Sequence, residues 1–323
     1  MKSSVKQLPI SDDSFKPAPW CFNGHAHTIF SSLLLTSPDI QADSVRISTP
    51  DDDFLDLDVK HLGSGKPVAV LFHGLEGNSK RFYIRRLANH LIQNGISTVA
   101  VNFRSCSDEL NLKRRFYHSG ETEDLETVFR WVEQNFSGSE IFACGFSLGA
   151  SALLNYFKKH GIHQPVRSAV AVSTPFELKM GSLNLENGFN RVYSRLFLQT
   201  LIQKLNQKRV FYPDLPEFSG TTLYDFDDTV TAPIHGFEDA EDYYHRCSSA
   251  RFIDQIQTPA LVIHSMEDPM CPFQWTPVGA IRKNPVTEAL FTEKGGHVGF
   301  WSSPKGWLNR KISDYFLRFT AAG

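Results

Sequence analysis

A serine set between two glycines is the most evident chemical feature of this sequence. Gly145, Ser147 and Gly149 follow an apolar run and precede a segment whose composition favours helix. A tight turn from strand to helix holds its central residue in a sparsely allowed backbone conformation and brings neighbouring chain close, so glycine is needed two residues before and after it. The spacing predicts a nucleophile elbow that presents the Ser147 hydroxyl at the end of a sheet. A glycine-rich turn with an incidental serine is the alternative.

A serine hydroxyl is a weak nucleophile at neutral pH and needs a base, which an acid must orient. After an elbow of this kind the acid comes next in the chain and the histidine follows. Asp268 lies just beyond an apolar strand pattern, and His297 follows a double glycine after the last such pattern. We therefore predict Asp268 as the acid and His297 as the base. Glu267 is a rival acid, but neighbouring residues point in different directions, and Asp268-Pro269 marks the turn after the strand.

Acyl transfer also needs hydrogen-bond donors for the oxyanion that develops on the substrate. We predict that the backbone N–H groups of Leu148 and Leu75 supply them. Leu148 directly follows the serine, and Leu75 lies in a glycine-bearing loop after an earlier strand pattern. We expect His73 and Gly74, at the start of that loop, to bind substrate. His73 comes too early in the chain to be the base.

Strand patterns alternate with helical patterns through much of the chain. Continuous apolar runs indicate strands covered on both faces, whereas polar-apolar alternation at 43–49 and 55–61 indicates an antiparallel hairpin. We predict an α/β fold with a doubly wound, mostly parallel sheet, whose active site lies beyond the carboxyl ends of the strands. The predicted parallel strands are 67–72, 97–103, 140–146, 166–173, 259–264 and 288–292, and the predicted helices are 79–93, 121–134, 150–160, 190–208 and 304–319.

Changes in this alternation divide the chain into three parts. We predict an N-terminal arm at 1–35, a core at 36–174 and 248–323, and a largely helical cap inserted at 175–247. The arm begins with a loose polar segment at 1–14 and continues with an aromatic segment too irregular for a strand and too short to span a bilayer. His25 and His27 could form half of a metal site, but no further ligands cluster with them, so we expect hydrogen-bonded histidines in a packed arm.

Composition narrows the functional class. The 323 residues are 41% hydrophobic and 21% charged, as in ordinary globular proteins. A net charge of -2 argues against a nucleic-acid partner. Five widely spaced cysteines suggest neither disulfides nor structural zinc. With no signal-peptide pattern and no apolar run of membrane-spanning length, we expect a cytoplasmic protein without a transmembrane segment, able at most to contact a membrane peripherally.

The motifs together resemble the α/β hydrolases, and more narrowly the YheT-like hydrolases, from about residue 15 to residue 319. This resemblance implies an α/β-hydrolase fold and a serine carboxylesterase or lipase-type activity on acyl esters, without metal or organic cofactor. The motifs that carry the resemblance are Pro19-Trp20 and His25-Ala26-His27-Thr28 in the arm, the sequence HGLEG at 73–77, Asn102-Phe103-Arg104, the elbow, and in the cap FDDTVTAP at 226–233 with Tyr243-Tyr244.

These features predict a serine hydrolase that cleaves small-molecule acyl esters through an acyl-enzyme intermediate. Two alternatives remain open. An acyltransferase would use the same three residues but pass the acyl group to an alcohol or thiol. A non-catalytic protein could retain a hydrolase fold to bind a ligand. The many phenylalanines of the cap and arm suggest an apolar acyl pocket, although most of them could equally belong to the core.

Overall fold

The centre of the structure is an eight-stranded sheet in which six neighbouring strands run parallel. The computed structural model describes residues 14–320, so nearly all of the loose segment predicted at 1–14 lies outside the described residues. The strands are β1 (Asp43–Ser48), β2 (Phe54–Lys60), β3 (Val68–Phe72), β4 (Ser97–Asn102), β5 (Ile141–Phe146), β6 (Val166–Val172), β7 (Ala260–Ser265) and β8 (Thr287–Thr292).

The strand order is β1-β2-β4-β3-β5-β6-β7-β8. Strands β1 and β2 form an antiparallel hairpin, and β2 also pairs antiparallel with β4. All residues of β3, β4, β5 and β7 are buried, because helices cover both faces of the sheet, whereas only Ile47 is buried in the edge strand β1. The predicted fold class and the predicted hairpin are confirmed.

Two hydrophobic clusters lie on opposite faces of the sheet. One joins the helices Glu123–Asn135 and Leu148–His160 to the strands, and the other joins the helix Phe82–Gln93 to the closing helix Trp307–Leu317. Among residues 14–320, no helix is both long enough and apolar enough to cross a bilayer. The helices are α1 (Gly24–Leu34), α2 (Phe82–Gln93), α3 (Glu123–Asn135), α4 (Leu148–His160), α5 (Leu178–Leu185), α6 (Arg191–Arg209), α7 (Leu223–Phe226), α8 (Ala232–Ile234), α9 (Ala240–Cys247), α10 (Val278–Lys283) and α11 (Trp307–Leu317).

Residues 178–247 form the helical insertion between β6 and β7, which comprises α5 to α9. A five-residue π-helix, Asp227–Thr231, separates α7 from α8 within it. The insertion has apolar clusters of its own, one of which packs α6 against α7. Its helical character follows the pattern of the sequence, and the division of the chain into arm, core and cap stays a prediction.

The arm differs from the prediction, because its irregular apolar segment contains the helix α1. Asn23 caps this helix by accepting a hydrogen bond from the Ala26 N–H at 2.8 Å. His25 and His27 are two positions apart on the helix, so their rings point in widely different directions and cannot share a metal ion. His25 lies 3.0 Å from the Tyr193 hydroxyl, whereas neither ring nitrogen of the buried His27 has a hydrogen-bond partner among the described residues. The expectation of hydrogen-bonded histidines is therefore right for His25 and wrong for His27.

Candidate active site

Ser147 lies at the turn from β5 to α4 with a backbone φ of 53°, a value that few residues other than glycine adopt. A Cβ atom on Gly145 would lie 2.5 Å from the Gly149 carbonyl oxygen, and one on Gly149 would lie 2.5 Å from the His73 carbonyl oxygen. Both glycines are therefore required by close backbone approach, for the reason inferred from their spacing. The turn has the strained geometry of a nucleophile elbow.

The side chains of Ser147, His297 and Asp268 meet beyond the carboxyl ends of β5, β8 and β7. The Ser147 Oγ lies 2.7 Å from the His297 Nε2, and the His297 Nδ1 lies 2.9 Å from the Asp268 Oδ2. Because the carboxylate can only accept, it holds the imidazole proton on Nδ1 and leaves Nε2 to accept from the serine hydroxyl. Three residues from distant parts of the chain thus form one continuous line of hydrogen bonds.

Asp268 is buried, but its environment favours the ionised form. Burial alone would raise the pKa of this carboxyl, yet the imidazole of His297 and hydrogen bonds from the protein hold the pKa below its usual value. The Met270 and Cys271 N–H groups each donate to the Asp268 Oδ1 at 2.9 Å. The rival acid Glu267 instead forms an ion pair with Lys294 at the surface.

The loop after β3 approaches the serine closely. A Cβ atom on Gly74 would lie 3.0 Å from the Ser147 Cβ and 3.6 Å from its Oγ. Leu75 lines the same cavity as Ser147 and His297, as does Leu148. Leu148 is the first residue of α4, so its N–H has no acceptor within the helix.

Sequence comparison places the chain in a known family. A profile of the "alpha/beta hydrolase fold" family matches residues 67–304. YheT of Escherichia coli (strain K12) is 36% identical over 325 residues, which cover 97% of this chain and 95% of that protein. The chain is a YheT-like α/β hydrolase. Phospholipase ABHD3 of Bos taurus is 27% identical over 324 residues, which cover 95% of this chain and 79% of the relative.

Solved structures agree on the fold of this α/β hydrolase. The Pyrococcus furiosus esterase Pf2001 superposes with a TM-score of 0.59 at 18% sequence identity, covering 87% of this chain and 92% of the esterase. At that identity the likeness concerns the fold alone.

His73, at the start of the loop after β3, is buried. It is 0% exposed, and both of its ring nitrogens bind backbone groups, with Nδ1 2.7 Å from the Gly74 carbonyl oxygen and Nε2 accepting from the Phe103 N–H at 3.1 Å. Burial lowers the pKa of His73 to about 3, so the ring stays neutral. The imidazole binds backbone groups of its own loop and of Phe103, and neither His73 nor Gly74 lines the cavity, so their substrate-binding role stays a prediction.

The cavity beside Ser147 is closed largely by the helical insertion. The empty volume is about 1090 Å³ when the part open to solvent is counted, and most of the wall is apolar. The insertion contributes the apolar residues Leu178, Leu185, Phe197, Leu201, Leu223 and Phe226. None of the described arm residues 14–35 lines the cavity. Of the arm phenylalanines, Phe15 packs in the core, as the alternative interpretation held, whereas Phe22 is 71% exposed.

Two residues that the sequence did not reveal hold the backbone of His297. The Thr28 hydroxyl accepts from the His297 N–H at 3.0 Å, and the Ser173 hydroxyl donates to the His297 carbonyl oxygen. Thr28 belongs to the HAHT motif of α1 and donates in turn to the Gly24 carbonyl oxygen at 2.8 Å. The HAHT motif indicated that this part of the arm has a role. Nothing in the sequence linked the motif to His297, which lies 269 residues further along the chain.

Asp268, Cys271 and His297 offer one possible metal-ligand atom each within 4.8 Å of one another. The donor set fits a metal poorly. Burial raises the pKa of the Cys271 thiol well above its usual value, so the thiolate that a metal needs is disfavoured. The Asp268 carboxylate and the His297 Nδ1 already bind each other, as the hydrogen-bond line to Ser147 requires.

Proposed function

We propose that this hydrolase cleaves carboxylic esters, the reaction class EC 3.1.1, through a covalent acyl-enzyme. The observation that carries the proposal is the line of hydrogen bonds from the Ser147 hydroxyl through His297 to Asp268. Ser147 serves as the nucleophile, His297 as the general base and then the general acid, and Asp268 as the group that orients the imidazole.

In the first half of the reaction, the Ser147 Oγ attacks the acyl carbon while the His297 Nε2 takes the hydroxyl proton. The Asp268 carboxylate stabilises the imidazolium that forms. The protonated imidazole then gives its proton to the leaving alcohol, and the acyl group stays on Ser147. In the second half, water gives a proton to His297 as it attacks the acyl-enzyme, and the acid leaves as Ser147 regains its proton.

The developing oxyanion needs donors fixed before the reaction begins. We assign this role to the N–H groups of Leu148 and Leu75, two residues that line the same cavity as the serine. The close approach of Gly74 supports the assignment, because a Cβ atom on this residue would lie only 3.0 Å from the Ser147 Cβ, so the chain that carries the Leu75 amide passes next to the nucleophile.

The substrate proposed is a small molecule with an apolar acyl chain. The apolar wall of the cavity favours such a chain, and the name of the Bos taurus relative, a phospholipase, fits a lipid-like ester. Neither metal nor organic cofactor takes part in the proposed reaction. Peripheral membrane contact remains part of the proposal, as does the cytoplasmic location, which suits five free cysteines.

A fluorophosphonate probe combined with a p-nitrophenyl ester series of increasing acyl length tests the proposal. Ser147→Ala should lower turnover by ~10⁴ or more and abolish labelling. Ser151→Ala is the matched control, since Ser151 lies one turn further along α4, is 0% exposed and has no contact with the cavity. Turnover of Ser147→Ala at the rate of the parent protein would refute the proposal. Product analysis with added alcohol separates hydrolysis from acyl transfer.

A further inference from the structure

An ion pair joins the loop after β3 to helix α6 of the insertion. The Lys204 Nζ lies 2.8 Å from the Glu76 carboxylate, and the two side chains are 19% and 4% exposed. Glu76 directly follows Leu75, the residue whose N–H we assign to the oxyanion. The helical insertion therefore contacts the donor loop itself, through two residues that also line the cavity.

Glu76 adopts a conformation that only its surroundings can maintain. Its φ is 52°, in the left-handed region that non-glycine residues avoid. The Glu76 N–H donates to the Tyr117 hydroxyl at 2.7 Å, and that hydroxyl lies 3.0 Å from the Glu76 Oε1 and can donate to it. The Glu76 carbonyl oxygen accepts from the Arg81 guanidinium at 2.7 Å. Strain of this kind persists only where the neighbouring groups fix the residue.

The peptide between Gly74 and Leu75 is fixed at its other end. The Gly74 carbonyl oxygen lies 2.7 Å from the His73 Nδ1 and accepts from the Gly77 N–H at 3.0 Å. In a trans peptide the N–H points away from the carbonyl oxygen, so these contacts also fix the direction of the Leu75 N–H. The direction of the Leu75 N–H therefore depends on His73, which precedes it in the loop, and on Glu76, which follows it.

We propose that Lys204 is a positioning residue, which through Glu76 holds the Leu75 amide in place for the oxyanion and so makes helix α6 part of the donor loop's support. The inference rests on the proposed function. Among the described partners of Glu76, Lys204 alone belongs to the insertion. Without Lys204, the nearly buried Glu76 carboxylate would keep only the Tyr117 hydroxyl as a side-chain partner, and the strained loop could relax.

The effect should fall on kcat, because the oxyanion forms only in the transition state. Complete loss of one oxyanion donor lowers kcat by ~10²–10³, so a displaced donor should lower it roughly tenfold to a hundredfold. The KM should change by less than about threefold, since the ground-state ester gains little from the donor. A residue that bound the substrate directly would change the KM instead.

The test compares Lys204→Met and Glu76→Gln with the parent, using p-nitrophenyl butyrate turnover normalised to the fluorophosphonate-titrated sites. Each variant should lower kcat per titrated site, and the double variant should be no worse than the more impaired single one, because both changes remove the same contact. Lys204→Arg should restore part of the kcat. Lys179→Met is the matched control, since Lys179 forms a half-exposed ion pair with Glu241 elsewhere in the insertion. Its kcat should stay within about twofold of the parent.

A kcat per titrated site within about twofold of the parent for Lys204→Met and Glu76→Gln would overturn the inference. A change confined to the KM would overturn it too, and would assign Lys204 to substrate binding. Titration separates these results from misfolding, because only folded sites are counted. If the parent itself showed neither turnover nor labelling of Ser147, the proposed function would fail; an active parent with unaffected variants would remove this inference alone.

Discussion

Two aspartates, one in the core and one in the helical insertion, have opposite electrostatic environments. Asp268, at the edge of the sheet, accepts two backbone N–H groups and faces the His297 imidazole, and its pKa is lowered despite burial. Asp227, in the π-helix of the insertion, accepts from the Tyr244 hydroxyl at 2.8 Å and lines the cavity wall. Burial raises the pKa of Asp227 to about 6, against the effect of Thr231 and Tyr244.

The difference shows that the partners of a carboxyl, and not its burial alone, decide its charge. Asp268 has an imidazole that can become cationic during the proposed reaction, and the parallel strands bring that imidazole to it. No cationic side chain among the described residues pairs with Asp227. The carboxyl of the core is thus held in its charged form, whereas the carboxyl of the insertion is held at a cost in stability.

The largest effect on kcat is expected from a substitution of Asp268. Asp268→Asn should lower kcat by ~10⁴, because an amide leaves the His297 imidazole without its anionic partner and favours the wrong tautomer. Glu267→Gln is the matched control, since it removes the neighbouring carboxylate that pairs with Lys294, and its kcat should stay within about twofold of the parent. Steady-state turnover of p-nitrophenyl butyrate measures both. Equal losses in the two variants would contradict the assignment of Asp268.

The corresponding substitution in the insertion, Asp227→Asn, should stabilise the protein. A carboxyl whose pKa is raised on folding binds protons more tightly in the native state, so the free energy of unfolding falls as pH rises from about 4 to about 6. Asp227→Asn removes this loss, because the amide oxygen can still accept from Tyr244. The variant should match the parent near pH 4 and be about 2–3 kcal/mol more stable at pH 8 in urea unfolding.

Asp225 provides a control of opposite sign for this experiment. The Thr221 and Thr222 N–H groups and the Thr222 hydroxyl lower the pKa of Asp225, which caps the start of α7. Asp225→Asn should therefore be less stable than the parent above about pH 4, and the difference should shrink as pH falls below that value. If both variants changed stability in the same direction at pH 8, the contrast between the two environments would be wrong.

The sequence predicted the sheet and the approach of the three side chains better than it predicted their supports. Parallel strands bring their carboxyl ends to one edge, so the positions of Ser147, Asp268 and His297 follow from strand patterns that a reader can recognise. The elbow was predictable because strained backbone and close approach demand glycine at Gly145 and Gly149. Their catalytic roles stay proposals until the variants are measured.

The supports could not be predicted, because they come from contacts between segments that lack a shared pattern. Thr28 reaches His297 only because the arm folds as a helix against the loop after β8, and Gly24 lets the same helix lie close to the loop after β7. A Cβ atom on Gly24 would lie 1.8 Å from the Glu267 carbonyl oxygen. Similarly, the sequence shows Lys204 only as one of several basic residues in the predicted helix 190–208. Its contact with Glu76 depends on the tertiary structure.

The smallest expected effect extends the comparison to two buried histidines. His297 has a carboxylate partner, whereas His27 in the arm has none, and burial with the nearby charge of Lys294 lowers the pKa of His27 to about 4. Below pH 6.5 the unfolded chain takes up a proton that the native His27 does not, so the parent loses stability as pH falls from 6.5 toward 4. His27→Leu should abolish that part of the slope, which amounts to about 2 kcal/mol between pH 7 and pH 5.

The half-buried His25, whose pKa burial also lowers, should contribute less, so His25→Leu should change the slope less. Urea unfolding at both pH values measures the difference, and an unchanged slope in His27→Leu would show that a partner or solvent reaches this imidazole.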